Sequence, residues 1–357
     1  MEKIKKILLC ISICILNINY LFYHTINNYQ FKTTFRILSI ILLILSIILS
    51  NKIKINKSLV IIILFLIFGT IIKNEQLQNM LFIILTAYSI SINIEREKVI
   101  IVFGVISILT VGLLFFMRRT GIIADTITNY GGRMRNSLGF DNPNALSLIM
   151  IDFYCFIIMM FKKRKTLACL IVIFISYYIN TFSDSRTLLF TTIIYLTLTI
   201  LQESKAISSA IRKMIKSKIF NIIILTFFFI SPFAIAAISK KVYKIDMLLS
   251  FRGTILSNYI NSHEMINYLI GFSNIETIDN SFIVLFFTIG ILGYLIIFLA
   301  IKRALKKAKN NNSIALIIMM LSYGMMESIL IRPECLLTIY FWLTILEENE
   351  VIHFETK

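Results

Sequence analysis

The polar chemistry of this sequence concentrates between residues 131 and 144. There Gly131-Gly132-Arg133-Met134-Arg135-Asn136-Ser137-Leu138-Gly139-Phe140-Asp141-Asn142-Pro143-Asn144 interrupts runs made almost wholly of Ile, Leu and Phe. Glycine lets backbone approach a ligand closely. Pro143 suits the first turn of a helix, which makes Asn142 the expected N-cap. A helix start with the guanidinium forks of Arg133 and Arg135 beside it has the chemistry of an anion site. Together these residue types predict the handling of a phosphate-bearing substrate at a membrane surface.

Other polar groups are fewer and more scattered. Ser183-Asp184-Ser185-Arg186-Thr187 makes a tight corner between two apolar runs. Two readings stand for it: Asp184 and Arg186 pair and cap, or Arg186 is presented beside Arg135. Asp279-Asn280 reads as an N-cap with negative charge at a helix start, worth about 1 kcal/mol, and the same placement suits a substrate role. Of three histidines, His24 ends the first apolar run, His353 lies in the tail, and His263 sits beside Glu264 in a long loop. His263 has the chemistry of a general base, set against the ordinary fate of a solvated loop histidine. Asp152 and Glu327 are carboxylates within apolar runs, where a charge costs about 2.5–3.5 kcal/mol. Structural pairing and a place on a substrate path weigh equally for both.

No Asp-x-Asp, Walker loop, HExxH or GxSxG occurs, so a metal-held nucleotide or a serine nucleophile has no support. The five cysteines form no CxxC or His/Cys cluster and read as small buried hydrophobes.

The elements that must position these residues are membrane helices. The chain is 58% hydrophobic with a mean hydropathy of +0.84, far from a soluble domain. Twelve apolar runs are candidate spans: 7–23, 35–50, 58–72, 77–94, 99–117, 143–161, 166–180, 188–201, 219–238, 282–300, 314–330 and 335–346. A bilayer needs about 20 residues, so the short runs 58–72 and 335–346 are candidates for re-entrant or bundle-packed segments. The first run follows a basic start and has no small-residue cleavage site, which reads as an uncleaved helix. The net charge of +17 sits in short loops, the membrane pattern, and no nucleic-acid motif accompanies it. Nucleic-acid binding is excluded on that ground.

Lysine sets the expected topology. With a cytoplasmic N-terminus and twelve crossings, 23 of the 36 basic residues fall inside, and the excess alternates at every step. Lysines account for most of them. Eight of the twelve arginines fall outside or at the outer rim: Arg36, Arg118, Arg119, Arg133, Arg135, Arg186, Arg252 and Arg332. Their forks suit bidentate binding of phosphate or carboxylate; snorkelling to lipid headgroups is the competing reading. Two outer loops are long, 118–142 and 239–281. The second is expected to be partly helical, with Met247, Leu248, Phe251, Ile255, Leu256 and Tyr259 at helical spacing. Ser262 is the expected cap of a second short helix stopping at Gly271. Such a hairpin over the bundle mouth is a lid or substrate cradle. No repeat or linker divides residues 1–357, so one membrane domain is expected.

These features form a recognisable set. Arg135-Asn136-Ser137-Leu138-Gly139-Phe140-Asp141-Asn142-Pro143-Asn144 resembles the Arg…Gly-Phe…Asn-Pro-Asn signature of the O-antigen ligase and Wzy polymerase superfamily. Ser185-Arg186-Thr187 resembles that family's Ser-Arg-Thr corner. Gly271-Phe272 through Asp279-Asn280-Ser281-Phe282 to Gly290-Ile291-Leu292-Gly293 resembles its late outer loop and following span. The matches run from 131 to 293 in the family's order.

The resemblance implies an all-α, GT-C-like polytopic protein of the bacterial cytoplasmic membrane, and the lysine pattern places both termini in the cytoplasm. It implies a metal-independent, inverting glycosyltransferase that needs no cofactor. Its substrates would be undecaprenyl-diphosphate-linked glycan donor and acceptor. It would join their repeat units into capsular, exo- or O-antigen polysaccharide on the outer face. Membrane lipid, a flippase and a chain-length regulator of the same pathway are the implied partners. Ligases of the family carry a histidine just before the late asparagine; Asp279 stands there in this chain, which favours polymerase. On this reading Arg135, Arg186, Arg252 and Arg133 contact the diphosphate, and Asp279 or His263 activates the acceptor hydroxyl. Asn144, Asn280 and Asp184 bind substrate or hold the site. Without a metal, preorganised donors must meet the developing diphosphate charge. The alternatives are a ligase-like transfer to another acceptor and, in a different class, a transporter or flippase supported by Asp152.

Overall fold

A computed structural model of the chain describes residues 2–26, 29–50, 56–130, 133–161, 164–239, 241–248, 251–271, 278–308 and 311–353. Gly131, Gly132, Phe272 and six lysines that bear on topology (Lys52, Lys54, Lys162, Lys163, Lys309, Lys357) lie outside the described residues, as does the side chain of Arg133. The first half comprises α1 (Glu2–Ile26), α2 (Tyr29–Ile48), α3 (Lys57–Ile71), α4 (Glu75–Asn93), α5 (Arg96–Arg119), the hairpin β1 (Ile127–Tyr130) and β2 (Arg133–Asn136), α6 (Pro143–Met160) and α7 (Lys165–Ser183). Then follow α8 (Arg186–Leu201), α9 (Lys205–Lys216), α10 (Lys218–Ser239), α11 (Tyr243–Leu248), α12 (Arg252–Asn261), α13 (Met265–Ile270), α14 (Ser281–Lys307), α15 (Asn311–Gly324) and α16 (Leu336–Glu348).

Apolar side chains cover the outside of the bundle as well as filling it. Phe174, Ile219, Leu292 and Ile61 are 75%, 72%, 70% and 67% exposed, a belt matched to lipid and not to water. Five helices, α1, α5, α7, α10 and α14, are long and apolar enough to cross a membrane; α8 with α9, bent by 115°, makes a sixth if taken as one span. α2, α3, α6 and α15 are apolar but shorter. The chain is a predominantly helical, multi-pass membrane protein.

Polar ties fix how the helices run. The Asn17 Oδ1 accepts from Thr110 at 2.6 Å, and further along α1, His24 meets Asp141 where the loop after α5 returns to α6, so α1 and α5 run in the same direction. Arg96 pairs with Glu347 at 2.8 Å, Asn56 donates to the Glu350 carbonyl at 2.9 Å, and Lys307 pairs with Glu350. Those contacts gather the starts of α3 and α5 with the ends of α14 and α16 into one basic end. The opposite end, the mouth, carries the end of α1, the β-hairpin and the α7–α8 corner.

Two stretches that read as plain spans are broken. Gly290 interrupts α14 at φ 66°. On a straight helix Phe282 and Phe298 would stand about 24 Å apart, yet both rings lie against Phe229, at 5.1 and 5.2 Å. Residues 281–289 therefore fold back on 291–307. The end of α13 seats in this break: a Cβ on Gly290 would stand 2.4 Å from the Leu269 carbonyl oxygen.

The second break lies between α15 and α16. Asp152, midway along α6, accepts from the backbone N–H groups of Leu336 and Leu337 at 2.8 and 3.1 Å. α16 therefore begins inside the bundle, capped by a carboxylate from another helix. Run 335–346 is packed within the bundle, in keeping with its length. α15 and α16, of 14 and 13 residues, rise only about 20 Å each and meet at a buried turn. α3 differs from α16, since Ile61, Leu64 and Ile71 are exposed and it lines the bundle's periphery.

The long loops are more ordered than their sequence suggested. Loop 118–142 folds as the antiparallel β1–β2 hairpin, with Thr128 opposite Arg135, which no strand pattern announced. The helical spacing from Met247 to Tyr259 resolves into α11 and α12, divided around Phe251 at φ 61°. Ser262 does not start the next helix; it closes α12, its hydroxyl donating to the Tyr259 carbonyl at 2.7 Å. Glu264 opens α13 through a capping box with Asn267, and Gly271 ends it at φ 80° as expected.

Asp152→Ala strands two N–H groups of α16 in an apolar interior, at about 1–3 kcal/mol each. Thermal unfolding in detergent is expected to show a marked loss of stability, with Asp152→Asn, which keeps one acceptor oxygen, falling between.

Candidate substrate site at the mouth of the bundle

Arg135 projects from β2 and ties together two polar segments that are distant in sequence. Its Nε donates to the Ser183 carbonyl at 3.1 Å and its Nη2 to Asn144 Oδ1 at 3.2 Å. Asn144 lies in the first turn of α6, where the Asn142 side chain caps the helix by accepting from its N–H at 2.8 Å. The Ser183 carbonyl is available because α7 stops there: Asp184 turns into the left-handed region at φ 42°, leaving last-turn carbonyls without helical partners. Ser185 caps α8 at Leu188 and shares a 2.7 Å hydrogen bond with Ser147 of α6. The capping is therefore divided between Asp184 and Ser185. Arg186 is exposed at the first residue of α8, and no hydrogen bond or ion pair holds it among the described residues.

A second cluster surrounds Arg252 at the start of α12. Its Nη1 donates to the Met326 carbonyl at 2.7 Å; its Nη2 lies 3.0 Å from Glu327 Oε1 and 3.5 Å from Asp279 Oδ2. The Glu327 side chain is 3% exposed and that of Asp279 43%, so only Asp279 faces open space. Asn280 caps α14 by accepting from Phe282 and Ile283 at 3.0 Å, and its Nδ2 donates to the Met325 carbonyl at 2.8 Å. Ser281 donates to the Glu327 carbonyl at 2.7 Å and accepts from Leu330 N–H at 3.0 Å. Residues 279–281 are thus stitched to the buried turn between α15 and α16. Arg332 closes that turn on the Ser328 hydroxyl at 3.1 and 2.9 Å.

The two expected bases are not brought together. The His263 Nδ1–H donates to the Tyr259 carbonyl at 2.8 Å, and its ring lies 4.2 Å from Phe287 and 4.4 Å from Tyr259. Phe287 stands six residues past Ser281, where α14 begins just beyond Asp279, about 9 Å of helix rise. His263 is an aromatic-packed residue beside α14, set apart from the carboxylate cluster. Arg133 lies opposite Tyr130 in the hairpin; its side chain is outside the described residues. Among the described residues no three His, Cys, Asp or Glu side chains gather as a metal ion would require.

Five of the eight rim arginines are held by protein, which counts against lipid snorkelling for them. Arg36 bonds Asn79, Arg118 grips Asp125 at 2.9 and 2.7 Å, and Arg135, Arg252 and Arg332 are placed as above. The Arg118 hydrogen bonds, with one from Asn136, hold the Asp125 carboxyl below the usual carboxylate range. Sequence reasoning missed one pair. His24 Nδ1 lies 2.8 Å from Asp141 Oδ1, and Asp141 N–H donates to the His24 carbonyl at 2.7 Å. Both residues sat beside recognised features, but 117 positions separate them and no local pattern couples them. Glu327 was singled out, but its partner Arg252 was not foreseen.

The two clusters predict opposite behaviour in stability measurements. Arg252→Ala leaves the buried Glu327 carboxylate uncompensated and is expected to cost about 3–5 kcal/mol. Arg186→Ala, at an exposed position, is expected to stay within about 0.5 kcal/mol of wild type. Melting curves in one detergent check both, and the reverse order would overturn these assignments. No protein-family model, curated protein or solved structure matches this chain, so its own residues carry the functional argument.

Proposed function

We propose that this chain is a Wzy-type polymerase that joins undecaprenyl-diphosphate-linked oligosaccharide repeat units. The observation that carries the reading is the Arg135 bridge. It links the Gly-Phe…Asn-Pro-Asn segment to the Ser-Arg-Thr corner, 48 positions away, with Arg186 exposed on the adjoining turn. An arginine fixed on two protein oxygens beside a second, exposed one is preorganised for a diphosphate, which guanidinium forks bind bidentately. Arg135 and Arg186 hold the donor diphosphate. Arg252, whose contacts run to Met326, Glu327 and Asp279, positions the late loop instead. The reaction is a single displacement: the acceptor hydroxyl oxygen attacks the anomeric carbon, the diphosphate departs with the bonding electrons, and the configuration inverts.

The same reading sets the frame. Twelve apolar runs make ten crossings and one buried hairpin in a GT-C-like bundle of the bacterial cytoplasmic membrane. The basic end and both termini face the cytoplasm, following the lysine distribution, and the mouth opens outside. The α11–α13 segment covers the lipid-linked glycans, and a flippase and a chain-length regulator work beside it. A transporter is the second reading, favoured by the helix breaks at Gly290 and at the α15–α16 turn. Asp152 no longer favours it, because its carboxylate is occupied by the start of α16.

Gel analysis of surface and lipid-linked glycan from cells carrying wild type or Arg135→Ala, at matched expression, tests the proposal. The expected result is collapse of the polymer ladder to one repeat unit on the carrier. An intact ladder removes Arg135 from the mechanism, and a ladder stranded on the carrier indicates a ligase. Single units trapped at the cytoplasmic face indicate a transporter.

A further inference from the structure

We infer that His24 is the general base of the reaction, positioned by Asp141. The inference rests on the glycosyl-transfer reading above and names the group that takes the acceptor proton. The expected bases leave that place open: Asp279 is engaged by Arg252, and His263 is packed against Phe287 and Tyr259.

His24 stands where they do not. It occupies the last turn of α1, with its ring 4.5 Å from Tyr20 and 4.8 Å from Tyr23. Its side chain is 15% exposed, so an edge remains open at the mouth. An ionised carboxylate only accepts hydrogen bonds, so the 2.8 Å contact with Asp141 Oδ1 is a donation from Nδ1–H. That fixes the tautomer and leaves Nε2 as the basic lone pair. The Asp141 N–H bond to the His24 carbonyl, 2.7 Å, locks the pair a second time. Asp141 is three residues from Asn144, the Arg135 partner, a step that spans at most about 10 Å. The His24–Asp141 pair and the Arg135–Asn144 contact therefore both stand at the start of α6, at the mouth of the bundle. In the step, Nε2 takes the acceptor hydroxyl proton as that oxygen bonds to the anomeric carbon and the carbon–oxygen bond to diphosphate breaks.

The test uses the full chain reconstituted in nanodiscs, with lipid-diphosphate-linked repeat unit isolated from source cells that lack this chain. For His24→Gln, which can still bond Asp141, kcat is expected to fall about 100-fold or more with KM little changed. Added imidazole is expected to restore part of the rate of His24→Ala. For Asp141→Asn, a smaller loss in kcat is expected, since the imidazole remains but its tautomer is no longer fixed. A kcat for His24→Gln within about fivefold of wild type overturns the inference, as does an His24→Ala enzyme indifferent to imidazole. Unfolding of both His24 variants, read from their melting in detergent, also overturns it by making the residue structural. Wild-type protein that extends no chains sinks the polymerase reading itself, a distinct outcome.

Discussion

Hydrocarbon offers no hydrogen bonds, so every helix that starts or stops inside this bundle must find partners for its exposed N–H and C=O groups. The region from 325 to 338 shows how strictly that is met. Asp152 accepts from the first N–H groups of α16, and Ser281 serves both the Glu327 carbonyl and the Leu330 N–H. Arg252 takes the Met326 carbonyl, Asn280 that of Met325, Thr338 that of Ile329, and Trp342 Nε1–H that of Leu330. The polar residues that look anomalous in an apolar sequence are largely the ones that make this turn possible.

That constraint divides the polar residues of the candidate site by role. In the recess around that turn, Arg252 stands against Glu327 and Asp279 and holds the Met326 carbonyl, while Arg332 holds the Ser328 hydroxyl. Removing Arg252 leaves the buried Glu327 carboxylate uncompensated in a low dielectric, so the recess depends on that pair. The rim carries Arg135 on neutral oxygens and Arg186 exposed. The exposed Arg186 guanidinium keeps its field directed outward. An anion would therefore meet an open guanidinium at the rim, at Arg186, and not in the recess, where Arg252 is held by Glu327 and Asp279.

Much of the frame was legible in the sequence because it depends on local rules. Asn142 before Pro143, Gly271 at the end of α13 and the Asn280 cap all follow from side-chain chemistry within a few residues. The short run 335–346 announced its buried position by its length. What stayed hidden depends on long-range partners. Gly290 reads as one more small residue in an apolar run, yet its positive φ folds α14 back so that α13 fits the break. Asp152 gave equal grounds for a structural or a transport role until α16 was seen to begin at its carboxylate. The β-hairpin escaped because its four-residue strands are polar and pinned by Arg118–Asp125, a contact between loop and helix end with no periodic signature.

The division of labour between lysine and arginine follows from the same chemistry. A lysine ammonium is strongly hydrated and sits well in loops facing water, where it biases orientation without needing a fixed partner. A guanidinium carries five donors in a rigid plane, against three on an ammonium. One arginine can therefore join several protein groups in a fixed geometry, as Arg252 does with Met326, Glu327 and Asp279. Replacing such a residue by lysine would keep the charge and lose the geometry. At the mouth of a membrane bundle, where backbone ends need partners held in a fixed geometry, that difference decides which basic residue occupies the position.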